Sequence, residues 1–163
     1  MNSAESPDCP TWPGDAGARR LLAHVVAACA AREPDDFPAR LEAGLRAALE
    51  SFAAEPELAA ELTLDPLMGD DENALDALRV WLARFGELLS DAVDDDPRTT
   101  TSRLSFLAAF LVGGVRFQIA RLVLKGEVAE LPRLLPGLLE TLLAFYFEPG
   151  EPRRLAQAAL AGR

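Results

Sequence analysis

LSFLAAFLVGGVRFQIARLVLKGEVAELPRLLPGLLETLLAFYF, residues 104–147, is the stretch whose reading decides the fold. Its apolar residues recur at helical spacing, which predicts two long helices, over 103–124 and about 131–147, joined by the turn Lys125-Gly126-Glu127. At 3.6 residues per turn the first helix carries two separate apolar stripes. One holds Leu104, Leu111, Val112, Val115, Ile119 and Leu122; the other holds Phe106, Phe110, Phe117 and Leu124. On the second helix Leu131, Leu134, Leu135, Leu138, Leu139, Leu142, Leu143, Phe145 and Tyr146 cover more than half the circumference. A surface helix needs one such stripe to bury against its own domain. The surplus predicts a two-fold homodimer in which both helices pair with their copies in an intersubunit four-helix bundle. Burial of the whole pair inside one domain is the competing reading.

Details within the pair sharpen this expectation. Gly113-Gly114 weakens the helix and lets another backbone come close, so both glycines are expected at the dimer interface, with Leu135, Leu139 and Leu143 at its seam. Pro132 suits a first helical turn, whereas Pro136 removes a backbone hydrogen bond and is expected to bend the helix near Gly137. Arg116 and Gln118 fall between the two stripes, where a polar side chain can reach a ligand or escape to solvent.

Composition bounds the function. The chain has 163 residues, 50% of them hydrophobic and 26% charged, which is globular rather than disordered and long enough for a real core. A net charge of -10 argues against gripping nucleic-acid phosphates or an anionic membrane surface, since both depend on Lys and Arg. Two cysteines, Cys9 and Cys29, form no disulfide framework and suit a reducing, cytoplasmic setting. Arg19-Arg20 followed by LLAHVVAAC has the outline of a signal peptide, but Glu5, Asp8 and Asp15 precede it without any Lys or Arg, and His24 interrupts the apolar run. No apolar stretch approaches a membrane span.

In order along the chain, residues 1–17 are rich in Pro and Gly and read as a mobile leader. A helix over about 18–32 presents Leu21, Leu22, Val25, Val26 and Cys29 on one face and is stopped at Pro34, with His24 away from that face. Asp35 and Asp36 offer caps to a second helix that has Pro38 in its first turn and Leu41, Leu45, Leu49 and Phe52 on one stripe. A short helix over 57–64 follows. Asp70, Asp71 and Glu72 then suit the positive end of a helix over about 73–93, whose stripe is Leu75, Leu78, Leu82, Phe85 and Leu89 with Trp81 on its shoulder. Asp94-Asp95-Asp96-Pro97 reads as a solvated loop, and residues 150–163 as a tail or one short frayed helix. The fold expected is therefore all-α, with about six helices, the main domain running over 18–149.

The order of these pieces, with LRAALESFAAEPELAAEL at 45–62, WLARFGELL at 81–89 and FLVGGVRFQIARLVLKGEVAELPRLLPGLLETLLAFYF at 110–147, resembles the C-terminal ligand-binding and dimerisation domain of TetR-family transcriptional regulators, over roughly 19–149. The resemblance implies that the last two long helices form the intersubunit bundle and that earlier helices enclose a pocket for a small, often apolar effector. That family begins with a three-helix DNA-binding unit containing a helix-turn-helix. Residues 1–36 supply neither a recognition helix nor a basic face, so the expectation is a regulatory domain that meets DNA only through a reader outside this chain. The alternative is a stand-alone interaction protein that forms heterodimers with a full-length regulator.

The pocket expected from this reading is lined by Phe52, Leu78, Trp81, Phe85, Phe106, Phe110 and Phe117, with Gln118 as a polar contact. Ordinary core packing accounts for the same side chains. Catalysis and cofactors are not expected: there is one His, and HExxH, GxSxG, P-loop, CxxC and paired Glu-x-x-His patterns are all absent. A lone His without neighbouring ligands, and an acidic run without the spacing of a calcium loop, give no metal site either.

Overall fold

The computed structural model describes residues 15–64, 72–94, 96 and 105–162, and every regular element among them is helical. Seven α-helices follow in order: α1 Asp15–Ala30, α2 Phe37–Ala54, α3 Pro56–Thr63, α4 Glu72–Asp94, α5 Ser105–Leu124, α6 Leu135–Leu143 and α7 Glu151–Ala161. A 3-10 segment, Val128–Leu134, leads into α6. Residues 1–14 of the expected leader, and Asp70 and Asp71 of the acidic run expected at the start of α4, lie outside the described residues. Gly17, counted with the leader in the sequence reading, instead belongs to α1, where a Cβ would collide with Leu58 Cδ1 at 2.5 Å.

α2 is the central element and touches α1, α3, α4, the 3-10 segment, α6 and α7. Its start is fixed twice. Asp36 Oδ1 accepts from the Ala39 N–H at 3.3 Å and Pro38 occupies the first turn, as the sequence suggests. The Phe37 N–H, left over by the helix, donates to Asp96 Oδ2 at 3.0 Å. Asp96 is only 2% exposed, so it is not the solvated loop residue that its acidic neighbours imply. Phe37 itself is fully buried, edge-on to Tyr146 at 5.3 Å and stacked on Phe147 at 6.1 Å. Burial of that same Tyr146 pushes its phenol up to about 12, so the ring is neutral in the core at physiological pH.

Two apolar clusters lie along α2. The first joins Leu21 and Val25 of α1, Leu49 and Phe52 of α2, Leu58 and Leu62 of α3, and Ile119 and Leu122 of α5. The second gathers Phe37, Leu89, Val93, Leu111, Leu139, Leu143, Tyr146, Phe147 and Ala156. α1 and α2 approach closely at Gly44, where a Cβ would stand 2.8 Å from Cys29 Sγ. One acid is buried between charges: Glu42 accepts from Arg46 Nε at 2.8 Å, and Arg32 lies 3.9 Å from its other oxygen.

α5 ends as its sequence predicts. Gly126 takes φ 72°, its N–H donates to Val123 O at 3.0 Å, and the Glu127 N–H donates to Leu122 O at 2.9 Å. That pair of bonds is the Schellman closure, which needs a residue tolerant of the left-handed region.

The second predicted helix differs from the expectation. Instead of one long helix bent at Gly137, the chain runs in 3-10 geometry through Pro132, closes with Leu135 N–H on Pro132 O, and restarts as the nine-residue α6 with Pro136 in its first turn. There the missing N–H of proline loses nothing, because first-turn donors have no partner within the helix. α7, expected as a frayed tail, begins at the left-handed Gly150 and packs on α6 and α2, with Pro152 and Ala156 buried. The surplus apolar surface of α6 is thus covered from within the chain.

Candidate functional site

A cavity of about 180 Å³ lies between the helices of the first half of the chain and α5. α1 contributes Leu21, Val25 and Cys29, and α2 contributes Leu41, Leu45, Ala48 and Phe52. Leu62 and Thr63 close it from α3, Leu82, Phe85, Leu88 and Leu89 from α4, and Leu111, Val112, Val115 and Ile119 from α5. The wall is apolar because each of these helices turns its 3.6-period stripe inward, and the inward stripe of α5 is the Leu111, Val115, Ile119 one.

Four polar side chains reach the wall, and each makes a bond to a backbone carbonyl. Thr63 Oγ1 donates to Ala59 O at 2.5 Å, Cys29 Sγ to Arg40 O at 3.4 Å, and Arg40 Nη1 to Pro34 O at 2.9 Å. Arg116 Nη2 donates to Thr63 O at 2.6 Å, while its Nε is buried without a hydrogen-bond partner. Burial pulls the Arg116 guanidinium below the usual arginine range and raises the Cys29 thiol, the latter opposed by the Arg40 charge and a backbone hydrogen bond from Gly44. Among the described residues, no group of three or more His, Cys, Asp or Glu side chains is placed to hold a metal ion. His24 sits on the surface with Nδ1 3.0 Å from Ser51 Oγ. Because that hydroxyl already donates to Ala47 O at 2.7 Å, it accepts from the imidazole.

The candidate pocket residues divide. Phe52 and Phe85 line the cavity. Phe110 and Phe117 do not: they stand on the outer side of α5, 63% and 65% exposed, with Leu124 at 68%. Gln118 lines an outer groove, and the polar residue that α5 brings to the cavity is Arg116. The side chains of Leu78, Trp81 and Phe106 lie outside the described residues, although their backbones continue α4 and α5. The face of α5 that meets the cavity is thus the Leu111, Val115, Ile119 one and not the Phe110, Phe117 one expected from the sequence. One signal points the opposite way: Gly113 falls on the Phe110–Phe117 stripe, where it offers no side chain to line a pocket.

The outer face of α5 borders a groove of about 480 Å³ toward α6, lined by Phe110, Gly114, Val115 and Gln118 on one side and by Arg133, Leu134, Gly137, Leu138, Thr141 and Phe145 on the other. Among the described residues, nothing beyond the adjoining turns of their own helices lies within 4 Å of a Cβ built on Gly113, Gly114 or Gly137. Leu135, Leu139 and Leu143, expected at a seam between subunits, are instead 4%, 0% and 0% exposed in the chain's own core. The reason is the short α6, whose leucine-rich side packs on α2 while α7 covers its flank. No helix among the described residues is long and apolar enough to cross a membrane. No known protein family, curated protein or solved structure matches the chain.

Proposed function

We propose that this chain is the effector-binding and dimerisation domain of a TetR-like transcriptional regulator, and that it senses a small, largely apolar ligand. The observation that carries the reading is the cavity: about 180 Å³ walled by Leu, Val, Ile and Phe side chains from α1 to α5, with Leu142 of α6. Packed cores hold few voids larger than a water molecule, and an apolar space of this size can accept a small hydrophobic guest. The position of α5 gives such a guest a way to act. One stripe of that helix forms the cavity wall, and the opposite stripe carries Phe110, Phe117 and Leu124. A ligand that shifts α5 shifts the outer face with it, as a rigid helix must.

We assign that outer face to a second copy of the chain. Large apolar patches are uncommon on monomers, and a two-fold interface needs knobs and holes on one surface. Here Phe110 and Phe117 project from α5, and Phe110 lies at the α5–α6 groove, so each copy offers both knob and hole. The described lining of the groove holds Arg133 and no carboxylate, so two chains of net charge -10 can meet there without like charges in contact. DNA has no part in the reading of this chain, whose acidity disfavours phosphate contacts.

Thermal melting against a panel of small hydrophobic compounds tests the cavity. A ligand at a hundred times its Kd should raise the melting temperature by roughly 5–10 °C. Ala48→Phe, which places a ring into the cavity from α2, should abolish that shift. If no compound stabilises the chain, or if the filled variant responds as before, the assignment fails.

A further inference from the structure

The cavity wall is apolar but its charge is one-sided. The described residues that line it include two arginines, Arg40 and Arg116, and no Asp or Glu, in a chain whose acidic residues outnumber its basic ones by ten. Elsewhere in this chain arginines are set against carboxylates: Arg46 on Glu42, Arg20 on Glu55, Arg154 on Glu151. Among the described residues Arg116 has no such partner. Its contact is one neutral acceptor, the Thr63 carbonyl at the end of α3, and its Nε–H is buried with nothing to donate to. A guanidinium carries five N–H donors in a flat fork that fits a carboxylate with two parallel bonds, and a buried donor left unpaired is destabilising.

Resting on the reading of the cavity as a ligand site, we infer that its ligand is a small amphiphile with a carboxylate head, the head held by Arg116 and the apolar body by the leucine and valine wall. The geometry supports it at both ends. An anion at Arg116 gives the orphaned Nε–H an acceptor and neutralises a cation that burial in the wall otherwise penalises. A cavity of about 180 Å³ is somewhat larger than one that admits benzene, which suits a body-plus-head of roughly ten non-hydrogen atoms. The rival role for Arg116 is purely structural, a cap on the last carbonyls of α3. A cap alone gives no reason to prefer an acid over its neutral analogue.

The test is calorimetric titration of the full chain at neutral pH with straight-chain carboxylic acids from butanoate to octanoate, each paired with its primary amide. The pairs have the same shape and differ in charge. Wild type should bind at least one acid ten- to a hundredfold more tightly than its amide, the range expected for a charged hydrogen-bonded pair. Arg116→Met should remove that preference while retaining the amide affinity, and Arg116→Lys should keep part of it. Equal binding of acid and amide by wild type overturns the anionic head group and leaves the apolar cavity standing. Absence of binding for every acid and every amide overturns both. The wild-type comparison needs no variant, so a fold defect in Arg116→Met does not blur the outcome.

Discussion

Asp96 illustrates what one residue contributes and why sequence alone misplaces it. In the chain it is the third of three aspartates before a proline, a pattern that reads as solvated. In the fold it is buried and accepts the N–H of Phe37, 59 positions away, at the start of the central helix. Asp96→Ala leaves that donor unpaired in the core and should lower unfolding free energy by about 1–3 kcal/mol, with Asp96→Asn less damaging because an acceptor oxygen remains. Urea denaturation of the three proteins measures this, and equal midpoints would remove Asp96 as a tie. Long-range partners of this sort leave no periodic trace. Arg116 and Gln118 show the same limit. Both flank the buried stripe of α5, on opposite sides, and the packing of α3 against α5 decides that Arg116 meets the cavity while Gln118 meets the outer groove.

Elements were more legible than residues. The helical spacing of apolar residues, the cap at Asp36, the proline at position 38 and the glycine turn after Leu124 each announce a boundary, and α2, α3, α4 and α5 lie close to where those signals put them. The same signals misjudged 131–147. Two prolines four apart exceed what one helix absorbs, and the chain resolves the conflict by changing to 3-10 geometry before restarting. α7 was underrated because its alanines suggest fraying, whereas alanine is what permits a helix to lie close on α6. Gly44 plays the corresponding part between α1 and α2. Gly44→Val brings atoms into the space of Cys29 Sγ and Val25 Cγ1, now 2.8 and 3.4 Å from a built Cβ. The two helices must part, and the expected loss is about 1–3 kcal/mol, seen as a lower melting temperature. An unchanged melting temperature would mean that α1 is not held where it packs.

At the scale of the whole molecule the two stripes of α5 remain the organising fact. Spacing separates them as two apolar faces and leaves open which meets the pocket, because it tells which residues share a face and says nothing about what meets it; the Leu111, Val115, Ile119 face is the one at the cavity, not the Phe110 and Phe117 face named for it. The inner face closes a cavity; the outer face, with Phe110, Phe117 and Leu124 exposed, is assigned here to a second copy. Because these side chains stand clear of the chain's own core, they can be changed without touching its packing, and the dimer can be tested apart from the fold. The direct measurement is light scattering of the wild-type chain and of the Phe110→Glu/Phe117→Glu variant at micromolar concentration. The account predicts twice the 17.5 kDa chain mass for wild type and a folded, 17.5 kDa species for the variant. A wild-type chain that scatters as a stable 17.5 kDa monomer would contradict it.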